Sequence, residues 1–120
     1  MANVLIIDDD PALRRLLRLT LQDGGFDVVT AANGVDGLEH IAAREPDVIV
    51  LDLKMPVMDG RTFYGKLREG GYSTPVVILS AFGAREAGRA LGAEAYMDKP
   101  FDPNALLDEV KRLAPAAAGQ

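Results

Sequence analysis

The chain has 120 residues, 48% of them hydrophobic and 26% charged, with no cysteine. That length supports one domain with a buried core, and the lack of cysteine excludes a disulfide framework or a thiolate metal site. A net charge of −5 argues against direct binding to nucleic acid or an anionic membrane. The lack of cysteine fits a reducing cytosol, where the protein is expected, and no apolar run approaches the ~20 residues of a membrane span.

Val4 to Ile7 form a first short β-branched run ending in Asp8-Asp9-Asp10. Asp10-Pro11 reads as a helix cap followed by proline at the first helical position. Leu13, Leu16, Leu17 and Leu21 then recur at helical spacing, with Arg14, Arg15 and Arg18 predicted to face outward, and Gly24-Gly25 stops the helix. Phe26 to Ala31 read as a second strand. A second helix follows Asn33-Gly34, with Val35, Leu38, Ile41 and Ala42 predicted on its apolar face, and Glu45-Pro46 ends it.

Val48 to Leu51 read as a strand buried on both faces, ending at Asp52. A loop with Met55 and Met58, predicted to pack rather than to act, leads to Asp59-Gly60 and a short third helix carrying Phe63 and Leu67. Gly70-Gly71 breaks it. Val76 to Leu79 form a fourth apolar run ending at Ser80. Residues 84–91 predict a helix weakened by Gly88, and Ala95 to Asp98 a short fifth strand. After Lys99-Pro100-Phe101, Asp102 caps a last helix whose apolar face is Leu106, Leu107, Val110 and Leu113. The domain is expected to span residues 1–114, with 115–120 a flexible C-terminal tail.

Strands alternating with helices imply an α/β fold, a parallel sheet covered on both faces by right-handed crossovers. In such a sheet every strand delivers its last residues to one edge. Asp8-Asp9, Asp52, Ser80 and Lys99 are those residues. With the strand order 2-1-3-4-5 the crevice falls between the first and third strands, setting Asp8 and Asp9 against Asp52. Alone, Asp52 reads as a turn residue; the grouping is what singles it out.

Carboxylates gathered this way need neutralising, since two unit charges ~4 Å apart repel by about 4 kcal/mol at an effective dielectric near 20. An oxygen-only site suits Mg2+, and Lys99 reaches in as a point charge. A carboxylate can attack phosphorus to give an acyl phosphate, with cations neutralising the phosphoryl oxygens and Ser80 donating a hydrogen bond.

The segments VLIIDDDP, VIVLDLKMPVMDG, PVVILSA and GAEAYMDKPF resemble the receiver domain of two-component response regulators, of the single-domain, chemotaxis-regulator kind. The resemblance implies a flavodoxin-like doubly wound (βα)5 three-layer sandwich. It implies Asp52 as phosphoacceptor, Asp8 and Asp9 as the acidic pair with Asp9 the more direct Mg2+ ligand, and the Lys54 backbone carbonyl as a further ligand. Lys99 matches the family's lysine, Lys99-Pro100 the bond usually cis in the family, and Ser80 and Tyr96 the hydroxyl and aromatic that move together on phosphorylation. Lys54 and Phe82 are expected to tune the phosphoryl lifetime.

The expected function is phosphorelay signalling in the bacterial cytoplasm. A partner histidine kinase or phosphotransfer protein donates the group, and the switched surface binds a downstream protein as a monomer or a weak phosphorylation-dependent dimer. No turnover enzyme is expected, only self-phosphorylation and slow self-dephosphorylation. The alternative is that the chain is the receiver fragment of a longer regulator, the tail resembling the start of a linker.

From Ser80 to Gly92 the chain is roughly three residues shorter than usual in the family, close to one helical turn. A short or weak fourth helix is therefore expected. Rival readings fit less well. A flavin binder of the same fold needs phosphate-holding groups after the first strand, where this chain has acids. An aspartate-based phosphohydrolase typically carries a second acid two positions after the nucleophile, where this chain has Lys54. His40 is expected to be a solvated helix residue without a role.

Overall fold

The computed structural model describes residues 2–81 and 83–115. The strands are β1 (Asn3–Ile7), β2 (Asp27–Ala31), β3 (Val48–Asp52), β4 (Val76–Ser80) and β5 (Ala95–Asp98). Between and after them lie the helices α1 (Pro11–Asp23), α2 (Gly34–Ala43), α3 (Gly60–Glu69), α4 (Ala84–Leu91) and α5 (Pro103–Leu113). Every strand pairing is parallel, in the order β2-β1-β3-β4-β5, as expected.

Apart from Asn3, Asp52 and Ser80 at their ends, the central strands β1, β3 and β4 are apolar because both of their faces find cover. On β1, Val4 and Ile6 join a core that includes Leu17 and Leu21 of α1 and Leu106 and Val110 of α5. Leu5 and Ile7 point the other way, into a core with Ile41 of α2 and Phe63 and Leu67 of α3. Val50 and Leu51 divide in the same manner on β3. Each fully buried side chain of this kind contributes roughly 1.5–3 kcal/mol, and the sum fixes the register that aligns the strand ends.

Side-chain caps start four of the helices: Asp10 accepts from the backbone N–H groups of Ala12 and Leu13, Asn33 from Asp36, Asp59 from Thr62 and Asp102 from Asn104. Each satisfies a backbone donor the helix itself cannot.

Three expectations need correcting. Leu16 is 47% exposed, because the buried stripe of α1 runs through Leu17 and Leu21 and the neighbouring residue is turned ~100° away. Arg14 does not simply face solvent, since it donates to the Asp8 carbonyl. On α2 the buried positions are Gly34, Gly37 and Ile41, leaving Val35 and Ala42 exposed. A Cβ on Gly37 would sit 2.6 Å from Ile7 Cδ1 and 3.1 Å from Phe63 Cε2, so this helix lies close on the sheet through its glycines.

The fourth helix is short, as expected, at eight residues. Gly88 is more than a weak point in it. It is buried, and a Cβ there would come within 2.6 Å of Tyr96 Cδ2 and 3.0 Å of Tyr96 Cβ. The glycine is what lets the Tyr96 ring lie against α4. Phe82 and all of the expected tail beyond Pro115 lie outside the described residues.

Candidate functional site

Strand register assembles the site. Ile7 of β1 lies opposite Leu51 of β3, so the next residues, Asp8 and Asp52, leave the sheet side by side. Asp52 is opposite Leu79 of β4, and Ser80 is opposite Asp98 of β5. Ser80 and Lys99 therefore follow along the same rim.

Asp8 is 0% exposed and Asp52 3%, whereas Asp9 and Lys54 are exposed. A carboxylate oxygen from each of Asp8, Asp9 and Asp52 lies within 4.8 Å of the others. The Lys99 ammonium bridges the two buried acids, at 3.0 Å from Asp8 Oδ2 and 3.4 Å from Asp52 Oδ2. The other Asp8 oxygen accepts from the Asp10 N–H at 2.9 Å, and Arg14 donates to the Asp8 carbonyl at 2.7 Å. The first acid is thus held from both its side chain and its backbone. Asp52 Oδ1 accepts from the Lys54 N–H at 3.4 Å.

Burial pushes the Asp52 carboxyl up to about 6 and the charge of Asp8 adds to this, while the charge of Lys99 and the hydrogen bonds from Lys54 and Lys99 pull the other way. Lys99 is raised above the ordinary lysine value. Burial works against its charge, and the hydrogen bond and charge of Asp8, followed by those of Asp52, more than offset it. One ammonium leaves this acid group under-neutralised. The all-oxygen donor set fits a hard divalent cation such as Mg2+, and the described residues offer no sulfur ligand and no histidine here. His40 is exposed on α2 and lines a groove with Asn3 and Pro46, at the opposite end of β1.

The loop after β3 is tightly built. Gly60 donates its N–H to the Leu53 carbonyl at 2.8 Å, and a Cβ on it would lie 2.5 Å from the Asp52 carbonyl oxygen. Only glycine lets α3 start this close to the strand end. Met58 donates to the Pro56 carbonyl at 2.8 Å across Val57, which has a φ of 70° and is 81% exposed. This is a γ-turn of the strained kind. Met55 is buried, and Met58 packs against Gly34.

On the far side, the Lys99–Pro100 bond is cis and the Lys99 N–H donates to the Ser80 carbonyl at 2.6 Å. Asp98 Oδ1 accepts from the Ala84 N–H at 3.0 Å, at the start of α4. Tyr96 is 38% exposed, its ring beside Gly88. Asp98, Arg14 and Gly60 escaped the sequence reading. The first two contacts join positions whose proximity has no local sequence signal, while the Asp-Gly pair at 59–60 did mark a helix start without revealing how close the backbones come.

Chemically, the arrangement brings together at one sheet edge a buried carboxylate, two further acids that with it could hold a cation, an ammonium and the strand-end Ser80. A family model described as "Response regulator receiver domain" matches residues 4–111. Response regulator MprA of Mycobacterium ulcerans is 40% identical over 113 residues, which cover 92% of this chain and 49% of that protein. The chain therefore spans about half the length of the curated relatives it matches. Among solved structures, chemotaxis protein CheY4 of Vibrio cholerae is similar with a TM-score of 0.86 at 36% identity, covering 94% of this chain and 98% of that one. TrrA of Thermotoga maritima, solved in complex with Mg2+ and BeF, is similar with a TM-score of 0.85 at 31% identity, covering 94% and 99%. A parallel sheet in the order 2-1-3-4-5, acids converging at its β1/β3 crevice and a family match over nearly the whole chain lead to one assignment: the chain belongs to the response regulator receiver domains of two-component signal transduction.

Proposed function

We propose that the chain accepts a phosphoryl group on Asp52 from the phosphohistidine of a histidine kinase or phosphotransfer protein. The observation that carries this reading is Lys99 bridging Asp8 and Asp52 beside the exposed Asp9. An Asp52 oxygen bonds to phosphorus as the P–N bond to the donor imidazole breaks, the electron pair returning to the ring nitrogen. Lys99 lies within reach of the phosphoryl oxygens and offsets their charge. Asp8, Asp9, Asp52 and the Lys54 carbonyl would hold Mg2+, which would supply further charge neutralisation at the site.

Ser80 donates to the new phosphoryl oxygens, and Tyr96 turns inward, shifting an existing equilibrium of the surface formed by α4, β5 and α5. That surface then binds a downstream protein. Lys54 and Phe82, two positions after Asp52 and Ser80 in the sequence, are the residues expected to tune the lifetime of the acyl phosphate. The protein is a switch with slow self-phosphorylation and self-dephosphorylation rather than a turnover enzyme. Residues 1–114 form the receiver unit, and a span of half the curated relatives supports equally a receiver within a longer regulator. No helix among the described residues is long and apolar enough to cross a membrane, which accords with action in the cytoplasm.

Treatment with acetyl phosphate and Mg2+ followed by mass spectrometry is expected to add one phosphoryl group to the native chain and none to Asp52→Ala. Modification that persists in that variant sinks the assignment.

A further inference from the structure

The described helices start on a side-chain cap supplied by the residue just before them, with one exception. The residue preceding α4 is Gly83, in the left-handed conformation at φ 79° and with no side chain to offer. The first N–H of α4, that of Ala84, is instead taken by Asp98 Oδ1 at 3.0 Å, from fourteen residues further along the chain. Asp98 is the last residue of β5. The next residue is Lys99, whose ammonium lies between Asp8 and Asp52 and whose backbone N–H holds the Ser80 carbonyl at 2.6 Å. Two residues before Asp98, the Tyr96 ring lies against Gly88 in the middle of α4.

The end of β5 therefore holds both sides of the β4–α4 connection. Lys99 grips Ser80, the last residue of β4, and Asp98 grips the first turn of the helix that follows. A carboxylate at this helix end also complements the exposed N–H groups and the helix dipole. The covalent path from Ser80 to α4 runs through residues 81–83 and ends at a glycine, whereas the path through the end of β5 takes two hydrogen bonds, from the Lys99 N–H to the Ser80 carbonyl and from the Ala84 N–H to Asp98 Oδ1.

We infer that Asp98 is a positioning residue, an external cap that makes α4 follow the end of β5 and so carries the state of the Asp52 pocket to that helix. This rests on the proposed phosphorylation of Asp52. When Lys99 moves to meet the phosphoryl oxygens, the neighbouring carboxylate carries the start of α4 with it. α4 thus reads Lys99 through β5 as well as Ser80 through the loop, and the shortness of the helix makes the borrowed cap a large share of its hold.

The test is amide hydrogen exchange on the full chain, untreated and with Mg2+ and beryllofluoride, in the native protein and in D98N, D98S and D98A. Asparagine keeps an acceptor oxygen at the same reach. Serine keeps a polar group but is too short, and so provides a second loss-of-cap variant should D98A fold poorly. In untreated D98A and D98S the amides of residues 84–87 are expected to exchange about five- to tenfold faster than in the native chain, the size of a lost cap, with D98N close to native. Beryllofluoride is expected to change exchange across 84–91 in the native chain and D98N, and to change it by less than half as much in D98A and D98S.

Native-like protection of 84–87 in D98A and D98S overturns the inference, and so does a full response of 84–91 in those variants. Fluorine NMR of the native chain reports beryllofluoride binding separately. A native chain that binds none defeats the proposed function, while exchange in the untreated proteins still decides whether Asp98 holds the helix.

Discussion

Lys99 supplies the ion-paired cation to both buried carboxylates among the described residues. Replacing it with methionine keeps the bulk and removes the charge, leaving Asp8 and Asp52 facing each other. The expected cost to the metal-free protein is about 2 kcal/mol, below the range for breaking a fully buried pair because the lysine side chain is partly exposed. Urea denaturation in EDTA reads it, and added Mg2+ should recover much of the loss if the acids hold the ion. The same crowding predicts a pH dependence. The folded Asp52 carboxyl sits at about 6, above its ordinary 3.8, so folding favours its protonated form. That contribution is full below the ordinary value and is lost as pH rises through the folded one. The rise in melting temperature on adding Mg2+ should therefore be larger at pH 7.5 than at pH 5, since the ion relieves a charge that is present only at the higher pH; an equal rise at both would count against this account. Val57 is a separate case of residue-level strain. A β-branched residue at φ 70° gives up about 1–2 kcal/mol, and glycine there gives back part of that through the unfolded chain. Val57→Gly is expected to stabilise the protein by about 0.5–1 kcal/mol in urea titration.

Among the elements, the start of α3 shows how one dipeptide serves two ends. Asp59 caps the helix through the Thr62 N–H at 2.8 Å, and this hydrogen bond holds its carboxyl below the usual carboxylate value. Asp59→Ala should cost about 1 kcal/mol at neutral pH. Because the carboxyl is lowered by folding, the cap contributes above its ordinary value and fades as pH falls through the lowered one. The native and variant denaturation curves should converge in strong acid. Gly60 faces the strand instead. A methyl group there meets the Asp52 carbonyl and Leu53 Cα, backbone atoms that cannot turn aside. Gly60→Ala should cost roughly 1–3 kcal/mol as overpacking does, and should slow phosphorylation by acetyl phosphate because the shift falls on Asp52, the proposed acceptor.

Across the whole molecule, what could be read in advance follows from which contacts are local. The strands were legible because a doubly covered sheet demands runs such as Val48 to Leu51, and the site followed because a parallel sheet delivers all its strand ends to one edge. The helix caps at Asp10, Asn33, Asp59 and Asp102 were within a few residues of what they cap. Side-chain facing was less legible. Val35 fits an apolar helical stripe, but glycines at 34 and 37 bring α2 onto the sheet by another face, a choice made by the partner surface of Ile7 and Phe63 rather than by α2 itself. The cap from Asp98 and the clasp from Arg14 join residues by three-dimensional proximity, and neither Val57's turn nor Gly60's close approach has a hydrophobic period to announce it.

Gly88 weakens a short helix by its propensity, yet it is the socket in which the Tyr96 ring rests. A single methyl group at that position competes with the ring for the same space. Gly88→Ala should therefore displace the ring from α4 in the unphosphorylated protein, seen as loss of nuclear Overhauser contacts between Tyr96 and helix residues. It should also raise the affinity for whatever binds the switched surface, with no phosphoryl group present. Under the proposed switching of Tyr96, the resting state depends on a hydrogen atom where most residues carry carbon, and Gly88→Ala is expected to turn a chain that waits for its signal into one that answers without it.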